Sequence, residues 1–314
     1  MNTPVIFFCG VLAALLAAVL VFAGIYFTRI QTLNSIEKLT GYADGFNLYR
    51  MDVRYSYSLD DMISYGVRDN QTMINVISKA ALPFFPVKIQ APEFGCTAFT
   101  LTDRNGAVHM GRNYDFRNNT SAMLVCCTPE NGYKSVAYAA LDNVSANVPE
   151  ESIKKKLASL TAPFVCLDGM NEKGVSIAVL IVDSEPVHQS TGKPVIFTSL
   201  AVRLVLDRAA TTQEAVDLLR GYDMFSAGGA ITTFISPMQK ATEGSSSTTV
   251  RAKPGRWWQR LSALRQTSIR FIRKRYCQTR ETVYTATAGS VTMLFLMFSD
   301  SRRETTPMIP CGQR

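Results

Sequence analysis

Histidine, paired cysteine and phosphate-binding glycine are what this sequence is short of. Its 314 residues include two histidines, His109 and His188, and seven cysteines at positions 9, 96, 126, 127, 166, 277 and 311, with no C-x-x-C pair among them. The odd count and the want of histidine partners argue against a zinc cluster and a disulfide framework, so no metal is expected. Gly228-Gly229 lacks the fingerprint of a phosphate-binding loop, so no cofactor is expected either. Charge is missing altogether from the 24 residues between Pro4 and Phe27. At about 1.5 Å per residue such a helix spans the roughly 30 Å hydrocarbon layer of a bilayer. Residues 1–28 are therefore read as a single-pass transmembrane anchor and the location as membrane. A cleaved signal peptide would begin with basic side chains, and "MNT" has none. Arg29 and Lys38 are too few to orient the anchor.

What is present is a real core and an uneven charge. Apolar residues make up 47% of the chain, enough to fold one large domain or two small ones. The formal charge of +8 resolves into a basic tail, with 14 Lys and Arg against 4 Asp and Glu from Gln239 onward, and a body with 19 against 21. Such a tail is a solvated or lipid-facing segment before it is a nucleic-acid site. The Arg-rich stretch around Trp257-Trp258 comes with no docking motif, so no nucleic-acid partner is expected.

Residues 29–95 read as a helical spacer or propeptide, with helical patterns in "SLDDMISYGV" and "TMINVISKAAL". From Cys96 the hydrophobic period changes to two. "TAFTLT" and "AVHMG" flank Asn105-Gly106, a strong hairpin signal, because both central residues of a type I′ turn need positive φ. "AMLVCCT", "KSVAYAAL", "APFVCLDG" and "GVSIAVLIVD" read as further strands. "VIFTSLAVRLVLDRA" follows a helical period, and Thr211 to Glu214 forms a capping box opening a second helix. Strands followed by helices predict an α+β fold with helices laid on a sheet.

A two-residue turn at Asn105-Gly106 would set Cys96 directly opposite Asp115, with Arg112 on the other face of the hairpin. A thiol nucleophile needs a base or a depressed pKa. Neither histidine fits that part comfortably. Scission between Gly95 and Cys96 would supply a base in the freed α-amine, whose ordinary pKa is about 8. Asp115 would orient the ammonium, and Arg112 would favour thiolate and steer acidic groups.

"FGCTAFTLTD…GRNYDF", "DGMNEKGVSIAVLIVD", "GKP…LAVRLVLDRAATTQEAVDLLRGYDM" and "AGGA" together resemble the choloylglycine hydrolase family of bile-salt hydrolases, penicillin V acylases and related linear-amide hydrolases. The resemblance runs from Phe94 to about Phe234. It implies an N-terminal-nucleophile αββα sandwich over residues 96–236, with Cys96 attacking an amide carbonyl and with Arg112 and Asp115 as its catalytic partners. The substrate implied is a small-molecule amide. Asn171 of "GMNEKG" falls in a family motif, where its turn position favours a structural or binding role over a catalytic one. Ile181 stands where bile-salt hydrolases carry an oxyanion asparagine, which points to a simpler acyl amide than a bile salt.

Past Phe234 the pattern stops. The family's later asparagine has no counterpart, since no asparagine follows Asn171. Residues 237–314 are read either as a genuine basic appendage or as the rest of the domain translated one base out of register. Residues 237 to 249 can be encoded so that the shifted frame gives DAEGNGRVVVDY, a strand-turn-strand pattern. On that second reading the sandwich is incomplete and its activity impaired. The alternative function is a non-catalytic membrane-tethered protein whose basic tail meets lipid. The oligomeric state is not legible.

Overall fold

The computed structural model of the protein describes residues 3–43, 45–89, 94–102, 108–116, 120–181, 188–226, 231–237, 281–288 and 291–299. The Asn105-Gly106 turn and the tail apart from two strands lie outside them.

A helix, α1 (Thr3–Asn34), opens the chain, and it is long and apolar enough to cross a membrane. Its first part is exposed, with Phe7, Leu12, Leu16, Leu20 and Phe27 uncovered, whereas Tyr26, Arg29 and Thr32 are buried against the domain. Segment 29–95 adds α2 (Leu59–Ser64) and α3 (Asn70–Ala81), as the helical patterns predict. It also supplies two strands that the spacer reading did not foresee, β1 (Glu37–Lys38) and β2 (Leu48–Val53).

Seven strands form one mixed sheet in the order β1, β2, β5 (Ala122–Cys127), β6 (Ser135–Ala140), β7 (Asp168–Asn171), β8 (Val175–Ile181) and β11 (Ile231–Pro237). Strand β2 runs parallel to β5, so the segment ahead of Cys96 is an inner part of the sheet. A second sheet has the order β12 (Glu281–Ala288), β13 (Val291–Ser299), β4 (Val108–Phe116) and β3 (Phe94–Thr102). The short parallel pair β9 (Val195–Phe197) and β10 (Asp223–Phe225) lies beside them. "APFVCLDG" is strand only from Asp168. Its first half belongs to a buried 3-10 turn, Ser159–Phe164, that carries Pro163.

Alternation assigns the two faces of the large sheet. Met51, Val125, Ala137, Gly169 and Ile177 lie in one cross-strand row, and Arg50, Leu124, Tyr138, Asp168 and Ala178 in the next. The first row meets α5 (Thr198–Arg208), since a Cβ built on Gly169 would come within 2.7 Å of Leu206. The second row faces the other sheet, where Arg112 of β4 reaches Asp168. A helical layer and two β layers are thus stacked in that order. Helices α4 (Ile153–Ala158) and α6 (Thr212–Arg220) complete the described set. Thr211 caps α6 by accepting from Glu214 N, while Glu214 reaches Ala210 N, one residue further back than a reciprocal box would.

Helix α5 is locked to the sheet by polar contacts as well as packing. Arg203, 1% exposed, pairs with Asp207 at 2.7 Å, donates to the Ser135 hydroxyl and lies 3.3 Å from the Cys127 sulfur, and Tyr57 donates to Asp207 at 2.9 Å. Burial opposes the Arg203 charge, but Asp207 and the other groups around it outweigh that and hold the guanidinium charged.

The tightest backbone approach in this layer is at Gly169, where an added methyl would also meet Val136 O at 2.7 Å and Ala137 Cβ at 2.9 Å. Two of those three neighbours belong to the adjoining strand and cannot rotate away. Gly169→Ala is expected to cost about 2–3 kcal/mol by overpacking, read as a lower denaturant midpoint at unchanged slope.

Candidate active site

The register of β3 and β4 differs from the one that a two-residue turn would impose. Thr102 pairs with Val108, and every described partner shifts by one from the expected one. Cys96 is opposite Tyr114, and Asp115 is opposite Gly95. A one-residue slip exchanges faces, so the expected arrangement is corrected on both counts. Position 112, opposite Ala98, now belongs to the same face of the hairpin as position 96, whereas position 115 belongs to the other. Asp115 is nonetheless registered on the residue that precedes Cys96.

Arg112 is built into the space between the sheets. It is 1% exposed, its Nη1 lies 3.0 Å from Asp168 Oδ2, and its Nη2 donates to Val179 O of β8 at 2.8 Å. Such an ion pair persists only when the geometry offsets the loss of water around both charges. Burial pushes Asp168 up to about 6, against the pull of Arg112. Its Oδ1 is buried without a hydrogen-bond partner among the described residues. Asp168 was not singled out from sequence, although it opens the quoted "DGMNEKG"; the available signal was an acid at the start of an otherwise apolar strand.

Asn171 sits at the end of β7 with no exposed surface. Its Nδ2 donates to Leu206 O at 3.1 Å and Ala209 O at 2.7 Å, and its Oδ1 accepts from Lys173 N and Val175 N at 3.1 and 3.0 Å. All four bonds go to main chain, tying the β7–β8 turn to the last turn of α5. Gly174 closes that turn with φ of 82°.

The other described thiols in the domain are held protonated. Burial pushes Cys126 up to about 12 and Cys127 up to about 11, and lifts Cys166 well above its ordinary range. His109 pairs with Leu101, five residues along β3 from Cys96 and so about 17 Å away at the strand rise. His188 forms an isolated bridge to Phe225, its ring against the phenylalanine. No group of three metal-binding side chains occurs among the described residues.

Residues 96–250 match the family model described as linear amide C-N hydrolases, choloylglycine hydrolase family. This segment belongs to that family. The match begins at Cys96 and runs past the expected limit at 236. No curated protein matches the chain. Among solved structures it is similar to penicillin V acylase from Agrobacterium tumefaciens, 17% identical over 48% of this chain and 38% of that one, with a TM-score of 0.24. It is also similar to a mutant of conjugated bile acid hydrolase from Clostridium perfringens, 13% identical over 64% of this chain and 50% of that one, TM-score 0.33. A second variant of that hydrolase gives 13% identity over 65% and 60%, TM-score 0.24. The chain spans about half the length of the solved structures it matches.

Two measurements probe this choloylglycine hydrolase segment. Because the folded state holds the Asp168 proton more tightly than the unfolded chain, stability is greatest below the ordinary carboxylate range and falls as pH rises to about 6. Denaturant unfolding at acid and neutral pH should show a loss on the order of 2–3 kcal/mol that Asp168→Asn abolishes. Asn171→Ala strands two buried carbonyls and two amides, and should lower stability by about 3 kcal/mol or more in the same assay.

Proposed function

We propose that the protein hydrolyses the C–N bond of a linear amide with Cys96 as an N-terminal nucleophile, freed by scission of the Gly95–Cys96 peptide. The observation that carries this reading is the register: Asp115 opposite Gly95, Arg112 on the face of Cys96, and a family match that starts at Cys96 itself.

The thiol proton passes to the residue's own α-amine, and the thiolate attacks the amide carbonyl. The C–N bond of the tetrahedral adduct breaks as the ammonium returns a proton to the leaving amine. Water then cleaves the thioester with the amine as base, giving the acid and restoring the thiol. Asp115 orients the ammonium. Arg112, fixed by Asp168 and Val179 O, favours the thiolate and draws acidic substrate groups.

The substrate is a simple acyl amide rather than a bile salt, because Ile181 offers no side-chain donor where the family's asparagine would lie. With no asparagine beyond Asn171 either, the oxyanion is left without those donors, and turnover is impaired by two to three orders of magnitude, to judge by the usual effect of one lost donor (~10²–10³). The tail is either the reading-frame-shifted remainder of the domain or a true appendage, and the family match running to 250 puts any slip late; the coding DNA from codon 228 onward decides between them. Helix α1 stays attached as a single-pass anchor. Support comes from its buried last turns: Arg29 donates to Ala80 O and Ala81 O at 2.8 Å, Thr32 Oγ1 accepts from Arg54 N at 2.8 Å, and Ser35 Oγ accepts from Asp52 N at 2.9 Å.

N-terminal sequencing of detergent-extracted protein should find a chain beginning at Cys96, and Cys96→Ala should remain a single 34.7 kDa chain without amidase activity. An intact wild-type chain, with a Cys96→Ala variant that turns over acyl amides at the same rate, would overturn the reading.

A further inference from the structure

The loop after α3 is a short aromatic spur. Pro83 and Pro86 bracket Phe84, 80% exposed, and Phe85, 45% exposed. Phe84 has φ of 72°, a left-handed conformation that a bulky side chain rarely adopts. Phe85 is half-covered, but Phe84 is left 80% exposed among the described residues, so packing in the interior does not offset that geometry and does not explain the spur.

Its position does. The Tyr26 hydroxyl donates to Pro83 O, the Tyr26 ring meets Phe85 edge-on at 6.0 Å, and Phe22 stacks on Tyr26 at 4.4 Å. One turn further along α1, Arg29 grips the last carbonyls of α3. The spur is therefore clamped at the level of residues 22–29, where the uncharged run of α1 ends and where Phe22, Phe27 and Ile30 are themselves exposed. Its apolar surface continues that of the helix. Lys79 and Lys88 flank it in sequence.

We infer that Phe84 and Phe85 insert into the boundary between headgroups and acyl chains of the bilayer that α1 crosses, making a second membrane contact that fixes the tilt of the domain. The inference rests on α1 being a membrane anchor. Aromatic rings favour that depth, and a spur clamped to the helix loses little freedom on entering it. One helix alone leaves a domain free to swing about its exit point. A second contact beside that point holds the domain at a set angle to the lipid surface.

The test uses the full chain carrying Trp257→Phe and Trp258→Phe, reconstituted in phosphatidylcholine vesicles containing phosphatidylglycerol brominated at shallow or deep acyl positions. Tryptophan is introduced singly as Phe84→Trp or Phe22→Trp, and circular dichroism confirms the fold. The Phe84→Trp protein should lose most of its emission to shallow bromines and little to deep ones, and the Phe22→Trp protein should be quenched as well. Quenching at Phe22→Trp with none at Phe84→Trp would overturn the inference while leaving the anchor in place. No quenching at either would remove the anchor and the inference together. Unquenched Phe84→Trp emission that shifts red on dilution of protein in lipid would assign the spur to a second copy of the chain and overturn the lipid contact.

Discussion

A guanidinium and a carboxylate locked together between two β-sheets set the terms for the rest of the domain. Arg112 comes from the smaller sheet and Asp168 from the larger, and both are almost wholly removed from water. Charges buried to that degree cannot drift: each must find its partner, so the pair fixes how the two sheets face one another. The carbonyl of Val179 completes the clamp from the next strand. The β3–β4 hairpin, and with it position 96, is thereby held in one place over the large sheet.

The same clamp explains which parts of the site could be read from the chain. Helices α3 and α6 and strands β5, β6 and β8 announce themselves through period and capping residues, and the structure has them within a few residues of expectation. The hairpin was visible, but its register was not. Two registers one residue apart use the same letters, and the observed one is that in which Arg112 faces Asp168, far along the chain. A slip of one residue changes the face that every side chain takes, and the chain alone does not say which register a buried ion pair will favour. Asp168 was itself overlooked for the same reason, since an acid opening a strand is unremarkable until the strand is seen to face a buried arginine. Residues 48–53 were likewise taken for spacer, because "LYRMDV" is short and its role as an inner strand depends on β5 arriving beside it.

Integration of the N-terminal segment into the sheet bears on how a chain cut at Gly95 would behave. Strand β2 lies between β1 and β5, and Tyr55, Leu59, Met62 and Ile77 are buried in the common core. Severing one peptide bond removes none of these contacts. A fragment ending at Gly95 would therefore remain in place by the same burial that holds any inner strand, and α1 would keep its hold on the remaining domain.

The choice of nucleophile comes down to what burial does to sulfur. Cys127 and Cys166 are buried and Cys126 is half-buried, and desolvation destabilises the thiolate that each would need. Arg203 stands within 3.3 Å of Cys127 and still does not reverse this, because its charge is already engaged by Asp207. A reactive thiol in this fold needs a base of its own, and His109 is registered too far along the hairpin to serve Cys96. A terminal amine on the nucleophile itself is a base that requires no further side chain, only a carboxylate to orient it. In the observed register, Asp115 pairs with Gly95, the residue that precedes that amine.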